Sequence, residues 1–156
     1  MHQRIRVAGL VRRGPELLLI RQKDRQGRLH WTLPGGRLEH TDENMYRGAE
    51  REVWEETGLE VRAGSLRFIV EDLSPGLFAL TLIIECHLID EDSFDRIHLD
   101  NTMEDDNIHG VAWWHTENIR SAAEGIGQTL QRQAFWEALE NGVEVLHLGR
   151  NSGLPE

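Results

Sequence analysis

At 156 residues the chain has room for one compact domain and little more. With 39% apolar and 28% charged residues it has the composition of a soluble globular protein, which excludes a disordered chain. The formal net charge of −10 excludes polyanion binding through a general basic surface, so nucleic acid is not an expected partner. A phosphate-bearing small molecule stays open, because bound divalent cations can supply positive charge locally.

The segment 1–10 has basic residues but no apolar stretch long enough for a signal peptide. Ile5–Val11 and Leu17–Ile20 read as two strands around a turn at Gly14-Pro15. Polar residues from Gln22 to Arg28 predict a loop, and Trp31–Leu33 leads into Pro34-Gly35-Gly36, read as a sharp turn where side chains would obstruct. From about residue 42 or 43 to Thr57 the pattern is helical, with Met45, Ala49 and Val53 facing a core. Thr41 or Asp42 is the expected N-cap, and Gly58 the terminator. Leu66–Val70 and Phe78–Ile89 read as strands separated by Ser74-Pro75-Gly76.

The run Leu77–Ile84 is the longest apolar one and is far too short to span a membrane, so a cytoplasmic location is the expectation. Cys86, the only cysteine, allows no intrachain disulfide and reads as a small buried hydrophobe. An irregular acidic stretch follows from Asp90 to Asn107, with eight Asp or Glu residues. Val111–Trp114 predicts another strand. Thr129–Asn141 predicts one helix burying Leu130, Ala134, Phe135, Ala138 and Leu139 and ending at Gly142. Val143–Leu148 reads as a short last strand, and the residues from 151 onward as a loose tail. Strands around two main helices make a layered α/β domain. The eight histidines are scattered without zinc-site spacing.

Chemistry concentrates on the first helix, in Arg51-Glu52-Val53-Trp54-Glu55-Glu56. Positions 52, 55 and 56 stand at i, i+3 and i+4, so the three carboxylates share one side. Their repulsion becomes an advantage when a hard divalent cation sits among them, and an all-oxygen donor set selects Mg²⁺, Mn²⁺ or Ca²⁺ over zinc. Glutamate-rich helix faces are more often plain solvated surface. What tips the reading here is the context: Pro-Gly-Gly before the helix, Arg51 beside the cluster and Gly58 at its end.

The segment GGRLEHTDENMYRGAEREVWEETGL, residues 35–59, resembles the Nudix box, G-x5-E-x7-R-E-U-x-E-E-x-G-U with U bulky and apolar. Arg51, Glu52, Val53, Glu55, Glu56, Gly58 and Leu59 match, and Glu43 fills the earlier glutamate. Six residues rather than five separate Gly36 from Glu43. Either the loop carries an extra residue, or Asp42 takes the glutamate's place and the insertion falls within the helix. A loop insertion keeps the helix in phase and favours Glu43.

The resemblance implies a Nudix fold, an α/β/α sandwich with a mixed sheet and the box helix at about 43–57, in a single domain over 1–150. It implies a hydrolase that cleaves a phosphoanhydride bond of a nucleoside diphosphate linked to another group, with Mg²⁺ as cofactor and Mn²⁺ as substitute. Glu52 and Glu56 are then the principal metal ligands, Glu55 a third ligand or the base, and the Gly36 carbonyl completes the shell. Arg51 holds the cluster. A further glutamate is expected on a loop outside the box, with Glu104, Asp105 and Asp106 as candidates and Glu71 and Glu85 as weaker ones. Gly35 and Gly36 would approach the substrate, and Trp31 is a candidate to stack on a base. Some ADP-ribose-cleaving members carry a proline about sixteen residues past the box, the place of Pro75, although Pro-Gly is also an ordinary hairpin turn. An ADP-sugar is therefore the leading substrate expectation. Its alternatives are nucleoside triphosphate housecleaning and a non-catalytic nucleotide-sensing module. Homodimers are common in the family, and Val143–Leu148 is a candidate for pairing across such an interface.

Overall fold

The computed structural model describes residues 2–97, 107–142 and 145–151; of residues 146 and 148–151 only the backbone is described. Apolar runs buried on both faces build β1 (His2–Arg13) and β2 (Glu16–Lys23), joined by a turn in which Gly14 takes φ +57°. Then come β3 (Leu29–Thr32), β4 (Gly35–Arg37) and the helix α1 (Met45–Thr57). A long hairpin follows, β5 (Val61–Ser74) and β6 (Leu77–Leu88), and after it a 3-10 turn at Glu91–Ser93. The chain continues through β7 (Ile108–His115), α2 (Thr116–Ser121), α3 (Gln128–Gln131), α4 (Gln133–Asn141) and β8 (Leu146–Asn151).

The strands form one mixed sheet in the order β3-β2-β1-β6-β5-β8, with β4 added to β1 and β7 to β2. β1 runs parallel to β6 and β5 parallel to β8, while the other pairs are antiparallel. One edge of β1 is divided, since residues 6–8 pair with β4 and residues 12–13 with β2. Because side chains alternate along a strand, each face of the sheet buries its own cluster. Val7, Val11, Leu18 and Ile84 pack with Ala49 and Val53 of α1. Ala8, Leu10, Leu17, Leu19, Phe68 and Ile83 pack with Leu130 of α3 and Phe135 and Leu139 of α4. The sheet thus lies between helical layers, as an α/β/α sandwich requires.

Four elements differ from the sequence reading. Gly35 and Gly36 do not form a turn; they open strand β4, and neither has positive φ. The expected helix over 129–141 is two helices, broken at Arg132 where ψ is 124°. The break shifts the phase, leaving Ala134 exposed and burying Trp136, whose indole N–H donates to the Leu130 carbonyl at 2.9 Å. α2 was not anticipated. Six residues carry too little apolar periodicity to show, and its start is capped by His115 Nδ1 accepting from the Glu117 N–H at 3.2 Å. Asn151, expected in the tail, ends β8. Among the described residues no helix is long and apolar enough to cross a membrane.

Candidate active site

Helix α1 begins at Met45 with Asn44 as its N-cap, Oδ1 accepting from the Arg47 N–H at 3.0 Å. It ends at Gly58, left-handed with φ 79°. Val53 and Ala49 are fully buried against the sheet, which turns Glu52 and Glu56 toward β4. Both carboxylates are buried, at 8% and 3% exposure, where a charge needs partners. Glu56 Oε1 accepts from the Gly35 N–H at 2.8 Å. Glu52 faces Gly36 so closely that a Cβ there would stand 2.7–2.8 Å from its carboxyl group. The two glycines are needed for close approach: at Gly35 a Cβ would meet the Val7 carbonyl oxygen at 2.5 Å and Ala8 Cα at 2.8 Å.

Arg51 organises the acidic side. Its Nε and Nη2 donate to the two oxygens of Asp42 at 2.8 and 2.9 Å, a bidentate pair. Nη1 donates to Glu52 Oε1 at 2.9 Å and Glu55 Oε2 at 3.1 Å, and Nη2 also reaches the Arg37 carbonyl at 3.1 Å. Glu39 lies 3.9 Å away. The bond from Arg51 holds the Asp42 carboxyl below the usual aspartate value, against an opposing effect of burial. Burial pushes the Glu55 carboxyl above its ordinary value; the Arg51 charge opposes this and the Glu52 charge reinforces it. Glu50 faces elsewhere, accepting from the Ala63 N–H at 3.0 Å and so tying α1 to β5.

The structure gives the pairing with Arg51 to Asp42 rather than Glu43, which is exposed just ahead of the N-cap. Asp42 also closes its own loop, accepting from the Glu39 N–H at 2.9 Å. Residues 42–44 precede the helix, which runs unbroken from Met45 to Thr57.

Trp31 packs at a tilt of 54° against Trp114, with ring centroids 5.4 Å apart, and its backbone is held by Gly125 and Gly127. Pro75 is exposed at the tip of the β5–β6 hairpin, where Ser74 and Leu77 are paired and Gly76 has φ 76°. Glu85 is engaged by Arg12 and Arg67 at 2.6 and 2.5 Å, on the sheet face away from α1. Burial would raise its pKa, but these two partners bring it below the ordinary value. Glu104, Asp105 and Asp106 lie outside the described residues.

Comparisons with known proteins place the chain in a family. A family model, NUDIX domain, matches residues 2–133. The chain belongs to the NUDIX family. A "MutT-like protein" of Streptomyces ambofaciens is 43% identical over 77 residues, which are 49% of this chain and 47% of that protein, so the matched segment spans about half of the relative. Among solved structures, a NUDIX hydrolase from Nitrosomonas europaea superposes with TM-score 0.69 at 20% identity, covering 90% of this chain and 88% of that one. An ADP-ribose pyrophosphatase from Streptococcus suis 89-1591 superposes with TM-score 0.60 at 16% identity, covering 94% and 97%. At these identities the likeness is one of fold. This NUDIX domain holds its signature carboxylates on α1, against the glycines of β4.

The oxygen donors that could hold a metal ion on this side of α1 are the carboxylates of Glu52, Glu55 and Glu56, while Gly36 is the register partner of Val7 in the β1–β4 ladder. Among the described residues no group of three His, Cys, Asp or Glu side chains stands ready-made around one point. Glu52 and Glu55 instead share Arg51. The fit to a hard cation is carried by the all-oxygen donor set and by the space left at Gly36, which any side chain would fill.

Proposed function

We propose that the protein is a Mg²⁺-dependent pyrophosphohydrolase acting on a nucleoside diphosphate joined to another group. The observation that carries this reading is the closing of the Gly35-Gly36 backbone over the buried carboxylates of Glu52 and Glu56, with Arg51 holding Glu55 and Glu52 at the rim. Glu52 and Glu56 would hold Mg²⁺, with Mn²⁺ as a substitute, and Glu55 would serve as a third ligand or as the base. When bound, the cation neutralises diphosphate oxygens and acidifies water. The chain's own contribution is position and charge. Arg51 fixes Glu52 and Glu55 relative to Asp42 and the Arg37 carbonyl, so the carboxylates present a set geometry. Glu55 Oε2 accepts from Arg51 at the rim of the cluster, and in its role as base it would take the proton of the attacking water. Water oxygen then bonds to phosphorus, the bridging P–O bond breaks, and the leaving phosphate departs with the bridging oxygen.

The ADP-sugar expectation rests on Ser74-Pro75-Gly76, and the tight β5–β6 hairpin already accounts for those three residues. ADP-ribose therefore enters as one arm of a Mg²⁺-supplemented panel with other ADP-sugars, dinucleoside polyphosphates, CoA, NADH and nucleoside triphosphates. Glu56→Gln should lower kcat on the best substrate by at least about a hundredfold, the scale of removing a principal electrostatic group. Its far-UV circular dichroism should match wild type. A folded Glu56→Gln protein that turns over at the wild-type rate would disprove the metal assignment. Among the described strands β8, which overlaps the expected pairing segment 143–148, ends the sheet and would be the strand to pair across a homodimer interface.

A further inference from the structure

Gly9 sits buried inside β1, opposite Ile84 of β6. A glycine within a strand weakens it, and the φ of Gly9 is not positive, so the backbone conformation does not call for one. The reason lies above it. A Cβ here would collide with Cγ2 of Val53, while the next atoms, Cys86 Sγ and Val11 Cγ2, would stand in ordinary contact at 3.6 and 3.9 Å. Helix α1 therefore rests directly on the backbone of Gly9. Val53 cannot turn out of the way, since it is fully buried and a valine in a helix has one strongly preferred rotamer.

Val53 follows Glu52 directly and precedes Glu56 by three residues, so its seat on Gly9 sets the height of both carboxylates above the sheet. A second link reaches the same place from the other side. The Gly9 N–H donates to the Pro34 carbonyl at 2.9 Å. The N–H of that same peptide group, which belongs to Gly35, donates to Glu56 Oε1 at 2.8 Å. The group is planar and trans, so its C=O and N–H point in opposite directions and it is clamped between Gly9 and Glu56. Gly9, the Pro34–Gly35 peptide, Glu56 and Val53 thus close a ring. One residue of β1 fixes both the helix that carries the carboxylates and the backbone that they face.

We propose that Gly9 is a positioning residue for the hydrolysis: by lacking a side chain it sets the spacing between the carboxylates of α1 and the β4 backbone. The effect on rate rests on the hydrolase reading, whereas the spacing is a property of the fold. Gly9 lies outside the segment 35–59 that carries the signature, and it acts through Val53 and the Pro34–Gly35 peptide. A methyl group added at Gly9 must lift α1 or push back β1 by about an ångström before carbon atoms regain normal contact. Either movement alters the gap, because both sides of the site are tied to Gly9. A misplacement of about an ångström costs about a hundredfold in rate.

The test uses the whole chain and two readouts. The first needs neither metal nor substrate: in EDTA, the amide proton resonance of Gly35 in a nitrogen–proton correlation spectrum reports its hydrogen bond to Glu56. Gly9→Ala should move that resonance upfield as the bond lengthens. Gly9→Ala/Val53→Ala, which removes the obstructing methyl group, should return it to its place in Val53→Ala. The second readout is kcat per folded molecule in Mg²⁺ on the best substrate, with the folded fraction taken from urea titration. Gly9→Ala should lower it about a hundredfold while KM stays within about threefold, and the double variant should recover to within about fivefold of Val53→Ala. A glycine that served stability alone would leave kcat per folded molecule unchanged. Either an unmoved Gly35 resonance or a wild-type kcat per folded molecule in Gly9→Ala overturns the proposal. So does a loss that Val53→Ala does not restore, because the contact with Val53 would then not be its cause. If Gly9→Ala does not fold, the double variant decides: agreement with Val53→Ala in both readouts supports the seat, and a rate about a hundredfold below it overturns it. A Gly35 resonance that moves and returns, in a protein that hydrolyses no panel member, would count against the hydrolase reading and leave the seat of α1 on Gly9 supported.

Discussion

Asp42 shows how one residue type and one spacing trade against each other. The family signature offers a glutamate eight positions before the arginine, and Glu43 meets that count. Asp42, nine positions away and one methylene shorter, makes the bidentate contact instead. It can do so because the chain between Glu39 and Asn44 turns back on itself, with the Asp42 N–H bonding the Glu39 carbonyl at 3.0 Å and Oδ2 accepting from the Glu39 N–H. Replacing Asp42 by Asn should cost about 2 kcal/mol at neutral pH, the scale of hydrogen bonds to a charged group, whereas Glu43→Gln should cost almost nothing. The pH dependence has a definite sign. The Asp42 pKa is lowered in the fold, so its contribution is complete above the ordinary value of 3.8 and is lost as the pH falls through the lower folded value. Urea unfolding at several pH values should therefore show the gap between wild type and Asp42→Asn narrowing only below pH 3.8. A gap that stays constant down to the acid transition would mean that ionisation of Asp42 contributes nothing.

β4 is three residues long, yet its two glycines separate stability from function. At Gly35 the obstructing atoms are backbone, the Val7 carbonyl oxygen and Ala8 Cα, which cannot swing away. At Gly36 the obstructing atoms belong to the end of the Glu52 side chain, which can. Gly35→Ala should destabilise the domain by about 3 kcal/mol, as overpacking against fixed atoms does. Gly36→Ala should leave the urea midpoint close to wild type and lower kcat about a hundredfold, because a carboxylate displaced by an ångström no longer serves the reaction. Equal thermal shifts in the two variants would refute this division. Helix α1 was legible because Met45, Ala49 and Val53 mark its buried side and Gly58 its end, all within a few turns. The break at Arg132 was not legible. It depends on Trp136 reaching Leu130 and on Gln131 reaching the Ile126 carbonyl, contacts that periodicity does not encode. The carboxylates of the site were readable as a local motif. The seat of Val53 on Gly9 was not, since the two are far apart in sequence and only the packing of α1 on β1 brings them together.

Across the whole molecule the sheet divides two jobs. Its α1 face carries the carboxylates, and its other face carries the aromatic cluster in which Phe135 packs on Phe68 at 4.7 Å and edge-on to Trp136 at 5.0 Å. Phe135 is fully buried, so Phe135→Ala should cost about 3–5 kcal/mol through lost contacts and the cavity left behind. A domain of this size has stability of about 5–15 kcal/mol, so the variant should remain largely folded in the cold. No residue of the carboxylate cluster belongs to the cluster around Phe135. Effects at sites that share no partners add to within about 0.5 kcal/mol, so activity per folded molecule should stay within about twofold of wild type. Urea titration gives the folded fraction and initial rates at low temperature give the activity. Should the rate per folded molecule fall tenfold, packing under α4 must help to set the geometry of β1 and β4, and the sheet would not be the rigid partition that its two separate cores describe.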